Sequence, residues 1–221
     1  MGIFSSFIAL LFPPKCIFCG KVLEKNERAG RVCRSCRRSV EYNEEPIPAS
    51  EPLGEVCAPL VYKDSVRDAL LRFKFRDRAD YAEPLAAFIA DEVARRFAGR
   101  YDVITWAPVS RKRKKERGYD QAMLLAEAAA MRLGTVAVSV LEKTRHTNAN
   151  SSINDAAARA ANVKGVYEVT APELIEGKRV LLIDDIFTTG ATMGECAATL
   201  RSAGAAEVMG AAIAVSRPER G

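Results

Sequence analysis

The sequence predicts an α/β protein: a mostly parallel sheet covered by helices, preceded by a small zinc ribbon. Three observations lead there. Strand-like and helix-like apolar patterns alternate from residue 56 to residue 215, as they do where parallel strands are joined by crossover helices. Four of the six cysteines fall into two Cys-x-x-Cys pairs near the N-terminus, which is metal-ligand spacing. An apolar strand at 180–183 also runs straight into two carboxylates and a turn of small residues, a pattern that suits ligand binding at the carboxyl end of a parallel strand. The 221 residues, 48% hydrophobic and 28% charged, suffice for one core plus an appendage and exclude a disordered or fibrous chain.

Taken in order, residues 3–12 form an apolar stretch interrupted by Ser5 and Ser6 and closed by Pro13-Pro14. It is well short of the roughly 20 residues of a membrane helix and lacks the basic start and cleavage pattern of a secretory signal. No membrane span and a cytoplasmic location are therefore expected. Cys16 and Cys19 are separated from Cys33 and Cys36 by thirteen residues, so each pair can turn two thiolates toward one ion and complete a tetrahedron. Zinc is the natural occupant, in a structural site with no position left for water. Two disulfides or a redox pair are the competing explanations, disfavoured in a reducing compartment. Cys57 and Cys196 stand alone and read as small buried hydrophobes. Three prolines within 46–52 mark a linker, which divides the chain into 1–50, ribbon and linker, and 51–221, the main domain.

In the main domain the patterns predict strands over 56–62, 103–107, 136–141, 180–183 and 208–215. Helices are predicted over 66–75, 82–97, 121–132 and 193–203. The polar, Asn-rich stretch 144–164, weakly helical at 156–161, breaks the rhythm, and an irregular segment of that length usually has a function. Net charge is +5, and residues 111–117 hold six basic side chains against Glu116 alone. That run implies an anionic partner, a phosphate or a nucleic-acid backbone, or else simply a solvated basic loop. His146, the single histidine, reads as a surface residue rather than a catalytic base. No pattern specifies an oligomeric state.

The sharpest signal is Asp184-Asp185-Ile186-Phe187-Thr188-Thr189-Gly190-Ala191-Thr192. A small-residue turn that opens a helix offers free backbone N–H groups to a phosphate, and three threonines add hydroxyl donors. Two carboxylates do not favour the same phosphate, so Asp184 and Asp185 should face sugar hydroxyls or a hydrated divalent cation. Phosphate and sugar together describe a ribose 5-phosphate. A P-loop is excluded, because no GxxxxGK[ST] sequence occurs. A lone capping Asp explains one carboxylate but not two beside Thr-Thr-Gly-Ala-Thr.

Residues 183–192 resemble the ribose-phosphate signature of type I phosphoribosyltransferases, and the whole chain resembles the ComF family of competence-associated proteins. Pro14-Lys15-Cys16, residues 71–76, Arg117-Gly118-Tyr119-Asp120-Gln121, Arg145, Thr147, Arg159 and Asn162 also carry the resemblance. It implies a Rossmann-like parallel sheet of the type I phosphoribosyltransferase kind. Asp184 and Asp185 would hold the ribose hydroxyls of phosphoribosyl pyrophosphate. Thr188, Thr189, Gly190, Ala191 and Thr192 would wrap its 5-phosphate, and Pro108, Val109 and Ser110 would form the pyrophosphate loop. Lys143, Arg145 and Arg159 would clamp the leaving group beside Mg2+, and 144–164 would be the lid. The reaction implied is transfer of ribosyl 5-phosphate to an amine or base that no motif specifies. The alternative is a non-catalytic DNA-handling factor for natural competence that keeps the site as a ligand sensor. Single-stranded DNA or a DNA-uptake helicase would then be the partner of the ribbon and the basic run. Asp120 and Asn150 stand where the family often has Asn and Gln.

Overall fold

The computed structural model describes residues 13–147 and 156–217. Residues 3–12 and Asn150 therefore lie outside the described residues. Among the described residues, no helix is long and apolar enough to cross a membrane.

The centre of the molecule is a pair of long parallel strands, β6 (Arg179–Phe187) and β7 (Glu207–Val215). Alternate residues feed two separate cores. Leu181, Ile183, Met209, Ala211 and Ile213 pack on one face, while Val180, Leu182, Val208 and Ala212 pack on the other. A strand buried on both faces has no polar alternation to show, and these two read as near-continuous apolar runs for that reason. Beside β6 lies β3 (Val103–Trp106), also parallel. Beside β7 lie β1 (Val56–Cys57) and β2 (Leu60–Val61), so the single strand expected over 56–62 is broken into two short pieces that both pair with β7. The strand expected over 136–141 is reduced to a parallel bridge between Ala137 and Ile104. Pairing resumes in β4 (Leu141–Lys143), which forms a separate antiparallel ribbon with β5 (Tyr167–Val169). Cys57 and Cys196 are buried, as expected of small hydrophobes.

Helices cover both faces. α1 (Arg34–Ser39) belongs to the ribbon. α2 (Asp64–Phe75), α3 (Ala82–Phe97) and α5 (Gln121–Arg132) bury their apolar stripes in the first core. α7 (Ala191–Ser202) buries Met193, Cys196, Ala197 and Leu200 in the second. α6 (Ala156–Val163) packs beside α7. The basic run is a helix, α4 (Arg111–Arg117), rather than a loop. Ser110 caps its start by accepting from the Arg113 N–H, and Gly118 ends it at a φ of 80°, a conformation that costs glycine little.

The ribbon is packed against the first core. Ile17 and Phe18 are buried in it, and the Phe18 ring meets Phe88 of α3 edge-on at 6.0 Å. Arg72 of α2 donates to the carbonyls of Ile17 at 2.8 Å and Phe18 at 2.7 Å, both inside the first Cys-x-x-Cys knuckle. Asp80 takes an ion pair from Arg31 at 2.7 Å, and Arg78 and Arg31 hold its carboxyl down to about 2. Arg72→Ala leaves both knuckle carbonyls without their donor, and the expected cost is about 2 kcal/mol of stability. Urea unfolding of the zinc-loaded protein measures it, and a loss under about 0.5 kcal/mol, the ordinary range of surface substitutions, would deny Arg72 this role.

Candidate functional site

Four thiols converge at the base of the ribbon. The Sγ atoms of Cys16, Cys19, Cys33 and Cys36 all lie within 4.8 Å of one another, with Cys19 and Cys33 at 3.7 Å. Four zinc–sulfur bonds of about 2.3 Å in a tetrahedron place sulfurs about 3.8 Å apart, so the set fits one structural zinc. No disulfide joins these cysteines. Burial opposes ionisation of Cys16, but backbone N–H groups of Cys19, Cys33 and Phe18 outweigh it and bring this thiol down to about 7, whereas burial pushes Cys19 and Cys36 up in the metal-free ribbon.

The second site opens at the carboxyl end of β6. A cavity of about 200 Å³ is lined there by Asp184, Asp185, Thr188 and Thr192 from the β6–α7 connection. Pro108 and Val109 join them from the loop after β3, with Lys143 from the end of β4 and Arg159 from α6. β6 is paired on both sides, so its end projects these side chains into the crevice between neighbouring connections. Gly190 begins α7 with a φ of 76°, and a Cβ there would sit 2.9 Å from the Phe187 ring. Only glycine fits that turn. Thr188 and Thr189 are exposed beside it.

The loop 108–110 is pinned by Asp120, which is 4% exposed. One carboxylate oxygen of Asp120 accepts the Val109 N–H at 2.9 Å, and the other caps α5 by accepting from Met123 N–H at 3.2 Å. Ser110 lies just outside the central cavity, its hydroxyl 2.9 Å from His146 Nδ1. Arg145 shares that neighbouring recess and donates to the Lys164 carbonyl at 2.9 Å. Of the expected clamps, then, Lys143 and Arg159 face the acidic pair, and Arg145 stands beside the cavity.

The cavity is also lined by Lys74 and Tyr167, to which the sequence assigned no role, and by Arg113 and Arg117 of the basic run, which was expected only as a whole to meet a phosphate or a nucleic-acid backbone. Lys74 Nζ lies 2.9 Å from Asp185 Oδ2. Arg113 and Arg117 are one helical turn apart on α4 and share its inner face. Ser110 and Gly118 bracket a seven-residue helix in the sequence, which pairs Arg113 with Arg117 at i,i+4 but does not say that this pair faces inward. Arg117 lies over the Phe75 ring at 5.0 Å and donates to Gln121 at 2.7 Å. Arg113 donates to the Thr147 carbonyl at 3.1 Å, and Thr147, which lines the cavity, has a buried hydroxyl with no hydrogen-bond partner among the described residues. Burial and then the neighbouring cation lower Arg113 (beside Arg117) and Lys143 (beside Arg113) from their ordinary values. Lys143 Nζ is also 3.3 Å from the Tyr167 hydroxyl. Five cationic side chains thus face two carboxylates, a balance that attracts an anion.

Asp184 keeps a narrow opening to the cavity but is otherwise surrounded by protein. Burial, and then the neighbouring Asp185, push its carboxyl up to about 8. Its Oδ1 accepts the Asp185 N–H at 2.7 Å.

The phosphoribosyl transferase domain family matches residues 119–221, and the double zinc ribbon domain family matches residues 7–58. Competence protein ComFC of Streptococcus pneumoniae is 30% identical over 212 residues, spanning 93% of this chain and 90% of that protein. The chain belongs to the ComF family. ComFC of Bacillus subtilis is 28% identical over 195 residues, 86% of this chain and 73% of that one. DNA utilization protein YhgH of Salmonella typhimurium is 32% identical over 142 residues, 62% of this chain and 61% of its own. With the ComF family come the type I phosphoribosyltransferase fold and the N-terminal zinc ribbon. The acidic pair, Thr188, Thr192, Lys143 and Arg159 of the cavity lie inside the region matched by the phosphoribosyl transferase family, while Lys74, Pro108, Val109, Arg113 and Arg117 come from before it.

The raised Asp184 carboxyl sets a pH dependence in the ligand-free protein. The folded state keeps a proton that the unfolded state releases near pH 4, so stability is full below that value and falls as pH rises toward 8. Asp184→Asn should remove this decline and gain on the order of 2 kcal/mol over wild type at pH 8. Urea unfolding at pH 5 and pH 8 checks it, and parallel slopes for the two proteins would contradict a buried, protonated Asp184.

Proposed function

We propose that the chain binds phosphoribosyl pyrophosphate in this cavity and transfers its ribosyl 5-phosphate to an amine or base. The observation that carries the reading is the meeting of an acidic pair with a threonine-rich helix start at one strand end. Asp184 and Asp185 accept hydrogen bonds from the ribose 2- and 3-hydroxyls. Thr188 to Thr192 enclose the 5-phosphate, their hydroxyls and the first N–H groups of α7 donating to its oxygens. The pyrophosphate lies toward Pro108, Val109 and Ser110, where Lys143, Arg113, Arg117 and Arg159 oppose its charge and the buried Thr147 hydroxyl supplies a donor. Arg145 stands at the edge of this anion. Mg2+ bound with the ligand would add to the neutralisation of the pyrophosphate charge that these side chains supply. The bond from C1 of the ribose to the pyrophosphate oxygen breaks, and a bond from C1 to the acceptor nitrogen forms. Fixed positive charge around the leaving group acts more strongly here than in water, because Arg113 and Lys143 are partly withdrawn from solvent. Burial and Arg113 lower the affinity of Lys143 for a proton in the ligand-free cavity, and an anion placed beside it would restore its charge.

Calorimetric titration with phosphoribosyl pyrophosphate and magnesium tests this. Wild type should bind, and Asp184→Asn with Asp185→Asn should weaken binding by about 100-fold, the loss of one charge-assisted and one neutral hydrogen-bonding contact to the ribose. Absence of binding by wild type would overturn the proposal.

A second reading, a non-catalytic DNA-handling factor acting in DNA uptake that keeps the cavity as a ligand sensor, is supported by the names of the ComFC and YhgH relatives and by α4. That helix turns Arg113 and Arg117 inward and leaves Arg111, Lys112, Lys114 and Lys115 exposed. Single-stranded DNA, or a helicase acting on it, would meet this face and the ribbon. Binding to single-stranded DNA should then fall steeply with salt, and neutralising the four outward cations should flatten the dependence. Binding that is absent or indifferent to salt would remove this reading.

A further inference from the structure

We propose that Lys74 is a positioning and specificity-determining residue of the ribose-phosphate site, standing at the acidic pair in place of a divalent cation, so that a ribose 5-phosphate is held there without magnesium. The inference rests on the ribose-phosphate reading above and says how that site takes its sugar. Lys74 Nζ lies 2.9 Å from Asp185 Oδ2, with the two side chains only 19% and 13% exposed. An ammonium group is a compact point charge with three donors. Placed on one oxygen of Asp185, it offsets the mutual repulsion of the two carboxylates and leaves the other oxygen, and Asp184, for hydroxyl groups. A dication brought to the same carboxylates meets Lys74 at contact distance and Arg113, Arg117, Lys143 and Arg159 around the same cavity, all repelling it. Magnesium would then be needed only for the pyrophosphate of the larger ligand and not for the sugar.

Lys74 is also held from outside the site. The Tyr119 hydroxyl donates to the Phe73 carbonyl and accepts the Arg78 N–H at 3.1 Å. On the other side of the same helix, Arg72 is bound to the zinc knuckle. A lysine side chain is costly to order, and here the backbone on both sides of it is already fixed. Its ammonium is delivered to Asp185 by α2, an element outside the ribose-phosphate signature.

The experiment is calorimetric titration of the full-length, zinc-loaded protein with ribose 5-phosphate, 2-deoxyribose 5-phosphate and phosphoribosyl pyrophosphate, in magnesium-free buffer and in excess magnesium. Wild type should bind ribose 5-phosphate equally in both buffers, within about twofold, and bind the deoxy sugar more weakly. Lys74→Met should lose about tenfold in magnesium-free buffer and recover part of it when magnesium is added, while Lys74→Arg should stay within about threefold of wild type. Thermal unfolding of each variant shows that the fold is retained, and a general structural defect would not respond to magnesium. Wild-type binding of ribose 5-phosphate that requires magnesium overturns the inference. So does a Lys74→Met variant that binds ribose 5-phosphate like wild type, or one weakened only toward phosphoribosyl pyrophosphate, which would assign Lys74 to the leaving group. Wild type that binds neither sugar phosphate nor phosphoribosyl pyrophosphate in either buffer removes the ribose-phosphate reading itself.

Discussion

Asp184 and Asp185 sit side by side where a strand buried on both faces reaches the edge of the core, and two carboxylates in such a place repel each other and lose their water. Their compensation organises what surrounds them. One carboxyl is driven toward its neutral form by burial, and the other faces an ammonium group from a different element. A pair left uncompensated in this position would cost several kcal/mol. The arginines and the second lysine then give the cavity a positive surplus, which an anionic ligand can use.

That dependence reaches the zinc ribbon through α2. Its apolar stripe, Val66, Ala69, Leu70 and Phe73, is buried in the core. Arg72 meets the knuckle carbonyls, and Lys74, two residues on, meets the acidic pair. A helix turns about 100° per residue, so positions two apart point to well-separated directions and can serve two partners at once. The ribbon therefore shares a core and a helix with the site, and its cysteines contribute to the packing that holds Lys74 in place.

The loop after β3 shows the same economy with a buried acid. Asp120 is almost completely enclosed and spends both oxygens on backbone N–H groups, one in the loop and one in the first turn of α5. An asparagine has only one acceptor oxygen for these two donors. The carboxylate at this position thus ties the loop to the helix start, and burial raises its affinity for a proton without removing the acceptor that Val109 needs.

Much of this was legible in the residues because local chemistry decides it. The Cys-x-x-Cys pairs, the two-sided apolar runs of β6 and β7, the bounds of α3 and α5, and the acidic pair before Thr-Thr-Gly-Ala-Thr are all set by neighbours in sequence. Other features depended on partners far along the chain. Residues 136–140 have strand composition, but they lie outside β3 and find only one bridge there. Arg113 and Arg117 look like their four basic neighbours until α4 is laid along the cavity, because a charge run does not say which face is solvated. Lys74 and Asp185 are 111 positions apart, too far for any periodicity to pair them. The sequence by itself determined the metal ligands, the central strands and the acidic turn, since each is a matter of spacing and side-chain type. Tertiary structure alone decided which cations meet those carboxylates, because a charge finds its partner through the fold's long-range packing and not through its neighbours in the chain.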